Sequence, residues 1–322
     1  MSALESENII DLRLSKNALL GYLSAGAVAL IWATWLVASR SGTQSSLTVF
    51  DLAVLRYGVS AVFALPLVLY FKPWKSMPAR RIVILTFLLS PIYILFVFGG
   101  FVYAPAAHGG IFMNGVLPAF TLLIGWYWLA EKVTRIQLLG VGAIIVGASL
   151  AVADASQLSL ADSWQGDLMF VIAAVFFSAY LVLGRLWHIE TLQILMCSSV
   201  INAIMFVPVW YLFLPSGMAD ASESQLLIQT LYQGLIPNLL GLLLVATAVR
   251  HVGPAATAAF MAAVPGLGTI LSLVFLGETP GWLGWLSLFI LTPGIIMVAV
   301  IRKPKAEGRR QKAESRKLKV ES

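Results

Sequence analysis

Charge is what this sequence has least of for its size. Only 11% of its 322 residues are Asp, Glu, Lys or Arg, where a soluble domain carries about 25% because it must cover its core with polar surface. The charges fall in short clusters between apolar runs of roughly 20 residues, long enough to cross a bilayer core about 30 Å thick. That disfavours a soluble helical fold. Cysteine is rarer still. Cys197 stands alone inside an apolar run, which excludes an intramolecular disulfide and leaves the redox compartment unread. There is no Walker A sequence and no hydrophilic stretch of domain length, so an ATP-driven pump within this chain is excluded. Nor is there a His-Glu-x-x-His, a pair of Asp at catalytic depth in separate runs, or a Ser–His pattern. An intramembrane enzyme is disfavoured accordingly, and no catalytic residue, metal ligand or cofactor is expected.

What the sequence does have is ten apolar runs: Ala18–Ala38, Phe50–Phe71, Ile82–Val102, Ala106–Leu129, Ile136–Ala153, Asp167–Trp187, Thr191–Leu214, Leu226–Val249, Ala255–Leu276 and Gly281–Ile301. The first follows Glu5, Glu7 and Asp11 and is already of spanning length, unlike a secretory signal. The expected fold is an all-α integral membrane protein with ten transmembrane helices. Its net charge of +6 reports orientation and not nucleic-acid binding. With an even number of spans both termini share a side, and that side collects Arg13, Lys16, Lys72, Lys75, Arg80, Arg81, Lys132, Arg135, Arg185, Arg250 and nine tail residues, 19 in all. The opposite loops hold Arg40 alone, and Arg56 lies within a span. Lys and Arg favour the cytoplasmic side, so both termini are expected there, in the cell (inner) membrane. Trp126 and Trp128 would flank the inner face, and Trp210, Trp282 and Trp285 the outer one.

The chain also repeats itself. At an offset of 147, Pro118 falls on Pro265, Glu131 on Glu278 and Gly147 on Gly294. At 145, Gly21 meets Gly166 and Arg40 meets Arg185; at 146, Pro91 meets Pro237; at 142, Pro66 meets Pro208. Proline inside a helix removes a hydrogen bond and clashes with the preceding turn, so its recurrence at matched positions is informative. The implied organisation is a segment 1–17, a first five-helix repeat 18–153, a linker 154–166, a second repeat 167–301 and a basic tail 302–322. Five is odd, so the second repeat enters the membrane from the opposite side. Inverted repeats are a mark of secondary transporters, whose site lies near the midplane beside interrupted helices. Pro91, Pro118, Pro237 and Pro265 are therefore the expected hinge or gating positions, and helices five and ten, richer in glycine at small-residue spacing, the peripheral frame.

The motifs Ile31-Trp32-Ala33, Asp51…Leu55-Arg56 and Pro118…Leu129-Ala130-Glu131…Gln137-Leu138-Leu139-Gly140…Gly147, echoed by Pro265…Leu276-Gly277-Glu278…Gly294, carry a resemblance. From Gly21 to Ile301 the chain resembles the ten-helix EamA-type branch of the drug/metabolite transporter superfamily. One departure is Ala130-Glu131 where that branch usually has Gly-Glu. The resemblance implies export or exchange of small metabolites, often amino acids or their derivatives. A lipid-translocating or structural membrane protein without a defined solute is the alternative.

At 1.5 Å per helical residue, Arg56 lies roughly 9 Å below the outer boundary, Trp32 at similar depth, and Asn114 about 12 Å down. His108 stands near the boundary, with Ser90, Asn202 and Asn238 nearer the midplane. Facing inward, these seven would line one cavity open to the outside and bind a small-molecule substrate. Arg56 is the sharpest of them, since a buried guanidinium needs a partner and a substrate carboxylate would supply one; the plain alternative is pairing with Asp51. His108 is a candidate for carrying a coupled proton or serving as a local structural partner. The three Asn are as well suited to bonding helices together, and Trp32, Trp35, Tyr57 and Tyr103 to an aromatic wall or to packing. Glu131 and Glu278 precede helix starts, where negative charge complements the helix dipole, so structural duty is expected of both. The run Gly140–Gly147 lacks the third glycine of a dinucleotide loop and reads as small-residue helix packing. The basic tail suits an orientation anchor or a contact with anionic lipid.

The 19-to-1 separation of basic residues makes a concrete expectation. Alkaline phosphatase fused after Ile301 should be inactive, while a fluorescent protein fused there should glow. The reverse result would invert every depth given above.

Overall fold

The structure, a computed structural model, describes residues 3–157 and 162–300, with side chains for 17–155, 162–190 and 193–299. The basic tail lies outside the described residues. All regular structure among the described residues is helical. Nine stretches there are individually long and apolar enough to cross a membrane. One of them, Glu223–Met261, has 39 residues, about 58 Å of helix at 1.5 Å per residue and twice a bilayer core. It is not one crossing. Gly253 interrupts it at φ 82°, ψ 165°, followed by Pro254, a conformation that glycine adopts without a Cβ penalty. The chain turns there, and the segment after the turn runs on, past a break at Ala262–Ala263, into the 13-residue helix Val264–Leu276.

Ten crossings result. They are α1 (Ala3–Thr43), α2 (Val49–Phe71), α3 (Ala79–Tyr103), α4 (Ala106–Leu129), α5 (Arg135–Gln157), α6 (Ser163–Leu186), α7 (Thr191–Phe213), α8 (223–252), α9 (254–276) and α10 (Trp282–Val300). The helices α5 and α6 run into the stretch read above as the 154–166 linker. The start of α1 and the end of α10 lie on one face, called terminal here; the ends of α1 and α9 meet on the opposite, distal face.

The two halves match in detail. The second segments of α4 (Leu117–Leu129) and α9 are each 13 residues long, with Pro118 and Pro265 at their second positions. Each ends in a left-handed residue, Ala130 (φ 50°) or Gly277 (φ 68°). In both, the next amide reaches back six residues, from Glu131 to the Gly125 carbonyl and from Glu278 to that of Ser272. This is the helix-ending motif that normally calls for glycine. The first segment of α4 crosses the start of the second segment of α9 closely: a Cβ on Gly110 would lie 3.0 Å from the Pro265 backbone.

Glycine also sets the packing of α5 on α10. A Cβ on Gly140 would come within 2.8 Å of the Gly294 carbonyl oxygen, and one on Gly294 within 2.9 Å of that of Gly140. Backbones approach this closely only where side chains are absent. The expected small-residue packing of the Gly140–Gly147 run is found here. The central core instead uses aromatics in glycine hollows, Phe101 against Phe170 with ring centroids 4.8 Å apart, in space left by Gly100 and Gly109.

Ala130 pays about 1 kcal/mol for its left-handed backbone, a cost that glycine escapes. Ala130→Gly should therefore raise stability by about 1 kcal/mol, and Gly277→Ala should lower it by a similar amount. Thermal unfolding of the purified variants in detergent checks both signs.

Candidate functional site

A proline or a widened turn in a membrane helix leaves carbonyls that must find donors within the protein. Three crossings have wide π-type turns: Leu55–Val59 in α2, Gly110–Gly115 in α4 and Thr230–Leu240 in α8. Such turns gather at functional sites, and they contain Arg56, Asn114 and Asn238. In α8, Pro237 has no N–H to donate within the wide turn. The Asn238 side-chain amide donates to the Gln233 carbonyl at 3.1 Å, and the Ser60 hydroxyl donates to the Gly234 carbonyl at 2.7 Å. In α3 the helix breaks at Leu89–Ser90 ahead of Pro91. There the Leu89 carbonyl accepts from the Tyr57 hydroxyl at 2.8 Å and the Asn202 amide at 3.0 Å.

The donors that repair these breaks surround a cavity of about 60 Å³ between α2, α3, α7 and α8. Its lining includes Arg56, Tyr57, Ser60, Tyr93, Ser198 and Asn238. Arg56 holds the one charge in that lining. Its guanidinium lies 5.7 Å from the Trp35 ring centroid, and it makes no hydrogen bond or ion pair with a described residue. Pairing with Asp51 does not occur. That carboxylate is fully buried and accepts from Thr48, Trp210 and the Gly217 amide, tying the start of α2 to α7 and the loop after it. Trp35 is itself fixed, donating at 2.8 Å to Gln233, which bonds Ser39 and Gln229 in turn.

The seven residues expected to share one outward-opening cavity are thus divided. Arg56 and Asn238 line the cavity above. Ser90 is buried beside it with no hydrogen-bond partner for its hydroxyl among the described residues. Asn202 is buried behind the wall, bonding Leu89. Trp32 packs where Gly241 of α8 leaves room. Asn114 is partly exposed and lines neither this cavity nor the next one. His108 stands apart from Arg56 altogether. It lines a larger cavity, about 340 Å³, at the distal face between α1, α4, α5, α9 and α10. The expectation of His108 as a partner near Arg56 is corrected on this point: its Nδ1 meets Asp167 Oδ1 at 2.7 Å. Ser60, Gln233 and Asp167 escaped the sequence reading. Ser60 was within reach of it, since Arg56, Ser60 and Ala64 recur every four residues along one face of α2.

The two glutamates act across the molecule. Glu278 Oε1 accepts from Arg40 Nε at 2.8 Å, and its Oε2 from the Ala106 amide, also at 2.8 Å, at the start of α4. Arg40 also donates to the Phe101 carbonyl at the end of α3. At the terminal face Glu131 accepts from Arg185 at 3.0 Å. Each Arg thus pairs with the Glu of the other half, at opposite ends of the fold. The helix start that Glu278 complements is that of α4; the α10 start is held by Asp154, which accepts from the Gly281 amide at 2.8 Å.

A family model described as the EamA-like transporter family matches residues 19–153 and again 164–300. The chain belongs to the EamA-like transporter family. The two matched segments coincide with the two halves seen in the fold. The chain is 24% identical over 218 residues to a "Probable terminal-alkyne amino-acid exporter" of Streptantibioticus cattleyicolor, covering 67% of this chain and 70% of that protein. A solved crystal structure has the same fold, with a TM-score of 0.58 and 18% identity over 91% of this chain and 99% of the other. This EamA-like protein is a multi-pass membrane transporter of a small solute and not an enzyme.

Proposed function

We propose that this EamA-like protein is a secondary transporter that exports or exchanges an amino acid or a derivative of one by alternating access of its two halves, with Arg56 receiving the substrate carboxylate. The carrying observation is an unpaired guanidinium in a lining that holds no acid. An intramembrane Arg is costly unless it finds a partner, and the nearby protein acid, Asp51, is fully engaged elsewhere. Trp35, Tyr57 and Tyr93 provide apolar surface for the rest of a small amphiphile, and Asn238 and Ser60 provide polar contacts. A cavity of about 60 Å³ has room for a carboxylate, a liquid water taking about 30 Å³, but not for a whole amino acid. Binding has to widen it, and the breaks beside Pro91 and Pro237 permit that; Pro118 and Pro265 stand at the matching breaks of α4 and α9. The printed name of the Streptantibioticus cattleyicolor relative favours amino acids as the solute class.

The crossed ion pairs fit the same reading. Arg40–Glu278 would latch the distal, external face, and Arg185–Glu131 the terminal, cytoplasmic one. They differ in strength. The first is 16% exposed on both sides and carries extra bonds to helix ends, whereas the second is 38% and 33% exposed, in the range where an ion pair contributes about 0–1 kcal/mol. The cytoplasmic latch is therefore the easier to open.

Radiolabelled amino-acid counterflow in liposomes containing the purified protein tests the site. Arg56→Lys keeps the charge but loses the planar fork, and should reduce counterflow about tenfold or more; Arg56→Ala should abolish it without loss of thermal stability. Normal counterflow in Arg56→Lys would remove Arg56 from the site, and lipid scrambling without solute movement would replace the transport reading altogether.

The latches are tested by pairing cysteines at 40 and 278, or at 131 and 185, in a Cys197→Ala background. A short thiol cross-link at either end should stop turnover, and cleaving the link should restore it. Undiminished turnover with both ends linked would refute alternating access.

A further inference from the structure

Among the described residues, His108 and Asp167 form the one ion pair that involves a histidine. They are 6% and 5% exposed, and they join α4 of the first half to α6 of the second. Asp167 Oδ2 is buried with no hydrogen-bond partner among the described residues. A carboxylate held this way is costly as a lone charge. Beside a neutral imidazole the pair carries a net buried charge of −1; beside an imidazolium it is neutral overall. Dry surroundings thus favour the protonated pair, and wetting favours release.

We infer that the His108–Asp167 pair is a proton-binding site filled from the distal cavity, and that its occupancy ties α4 to α6 as the two halves move. Asp167 accepts from Nδ1–H, which fixes the tautomer and leaves Nε2 as the basic nitrogen. Nε2 has no hydrogen bond to a described residue. Uptake adds one proton to Nε2 while Nδ1–H stays on Asp167 Oδ1, and release returns that proton to water. His108 lines the distal cavity of about 340 Å³, which supplies the path. The charged groups facing it across that cavity are Arg40 of α1, Asp154 of α5 and Glu278 after α9. Arg40 and Glu278 offset each other in their ion pair. Asp154, with Oδ1 buried and unpartnered among the described residues, adds negative potential that favours the proton. The walls from α9 and α10 are Thr269, Gly284 and Leu288, which do not titrate here, and Tyr103 at the end of α3 is exposed. The turn that follows His108 is the wide one at Gly110–Gly115, so strengthening or loosening the pair acts where α4 can bend.

That this proton is coupled to solute movement rests on the transport reading above; that it binds here does not. Full-length protein in lipid nanodiscs, labelled with ¹⁵N-histidine, reports on its three histidines, with His108 identified by the resonance lost in His108→Gln. The His108 resonances should show Nδ1 protonated throughout and Nε2 exchanging its proton as the pH is changed. Asp167→Asn should lower its proton affinity about tenfold or more. No proton exchange at Nε2 across the pH series, or exchange unmoved by Asp167→Asn, overturns the site. Coupling is read with L-phenylalanine as the probe in proteoliposomes, as the ratio of initial uptake with an imposed pH gradient to uptake without one, counterflow serving to show that the carrier works. The ratio should be well above one in the unaltered protein and fall to one in His108→Gln; a ratio unchanged in that variant overturns the coupling. If L-phenylalanine does not move at all, the amino-acid reading fails and the titration alone decides the proton site.

Discussion

Backbone hydrogen bonding in a solvent that offers none is the constraint on which the rest of this structure depends. A straight apolar helix meets it automatically. A proline or a widened turn leaves carbonyl acceptors that side chains of the same or of neighbouring helices can serve. Tyr57 and Asn202 serve the Leu89 carbonyl, and Asn238 and Ser60 serve Gln233 and Gly234. Polar side chains therefore converge where helices are broken, and a cavity lined by polar groups follows from the repair. The candidate site and the bending points coincide because both descend from the same missing bonds.

The frame is held differently, although Pro293 also interrupts the bonding of α10. Along α5 and α10, glycines bring backbone against backbone, so these two helices are held by close contact over their length. The central helices instead interlock aromatic rings with glycine hollows, Phe101 and Phe170 filling space beside Gly100 and Gly109. Polar ties between the halves include the Trp35–Gln233–Gln229 chain, the Asp51 anchor, the His108–Asp167 pair, the bonds of Ser60 to Gly234 and of Asn202 to Leu89, and the Arg–Glu pairs.

Much of this was legible before any coordinates. Run length and charge clusters placed ten crossings, and the division between α8 and α9 falls at Gly253-Pro254, between the two apolar runs read there. Position along a helix was also readable, and Arg56 and Asn238, both read as candidate site residues, line one cavity. Azimuth was not. Nothing in the spacing of His108 says that it faces Asp167 and not Arg56, because two helices at equal depth can present a side chain to either neighbour. The partners of Arg40 and Arg185 were hidden for a related reason. The repeat offsets align Arg with Arg and Glu with Glu, whereas the pairing crosses from one half to the other, and an alignment of like residues does not reveal which unlike residues meet.

That crossing makes each half incomplete by itself and complete with its twin. A half contributes one Arg at the end of its first helix and one Glu after its fourth, and neither reaches the other within that half. Two copies of a single five-helix unit, inserted in opposite orientations, would satisfy both pairs by the same rule, as the two faces of an isologous dimer do. The contact is self-complementary, so fusing two such units into one chain requires no new interaction between them. Fusion also frees the two pairs to diverge, and here the one at Arg40 has become more buried than the one at Arg185, an asymmetry that a dimer of identical units could not have fixed in its sequence.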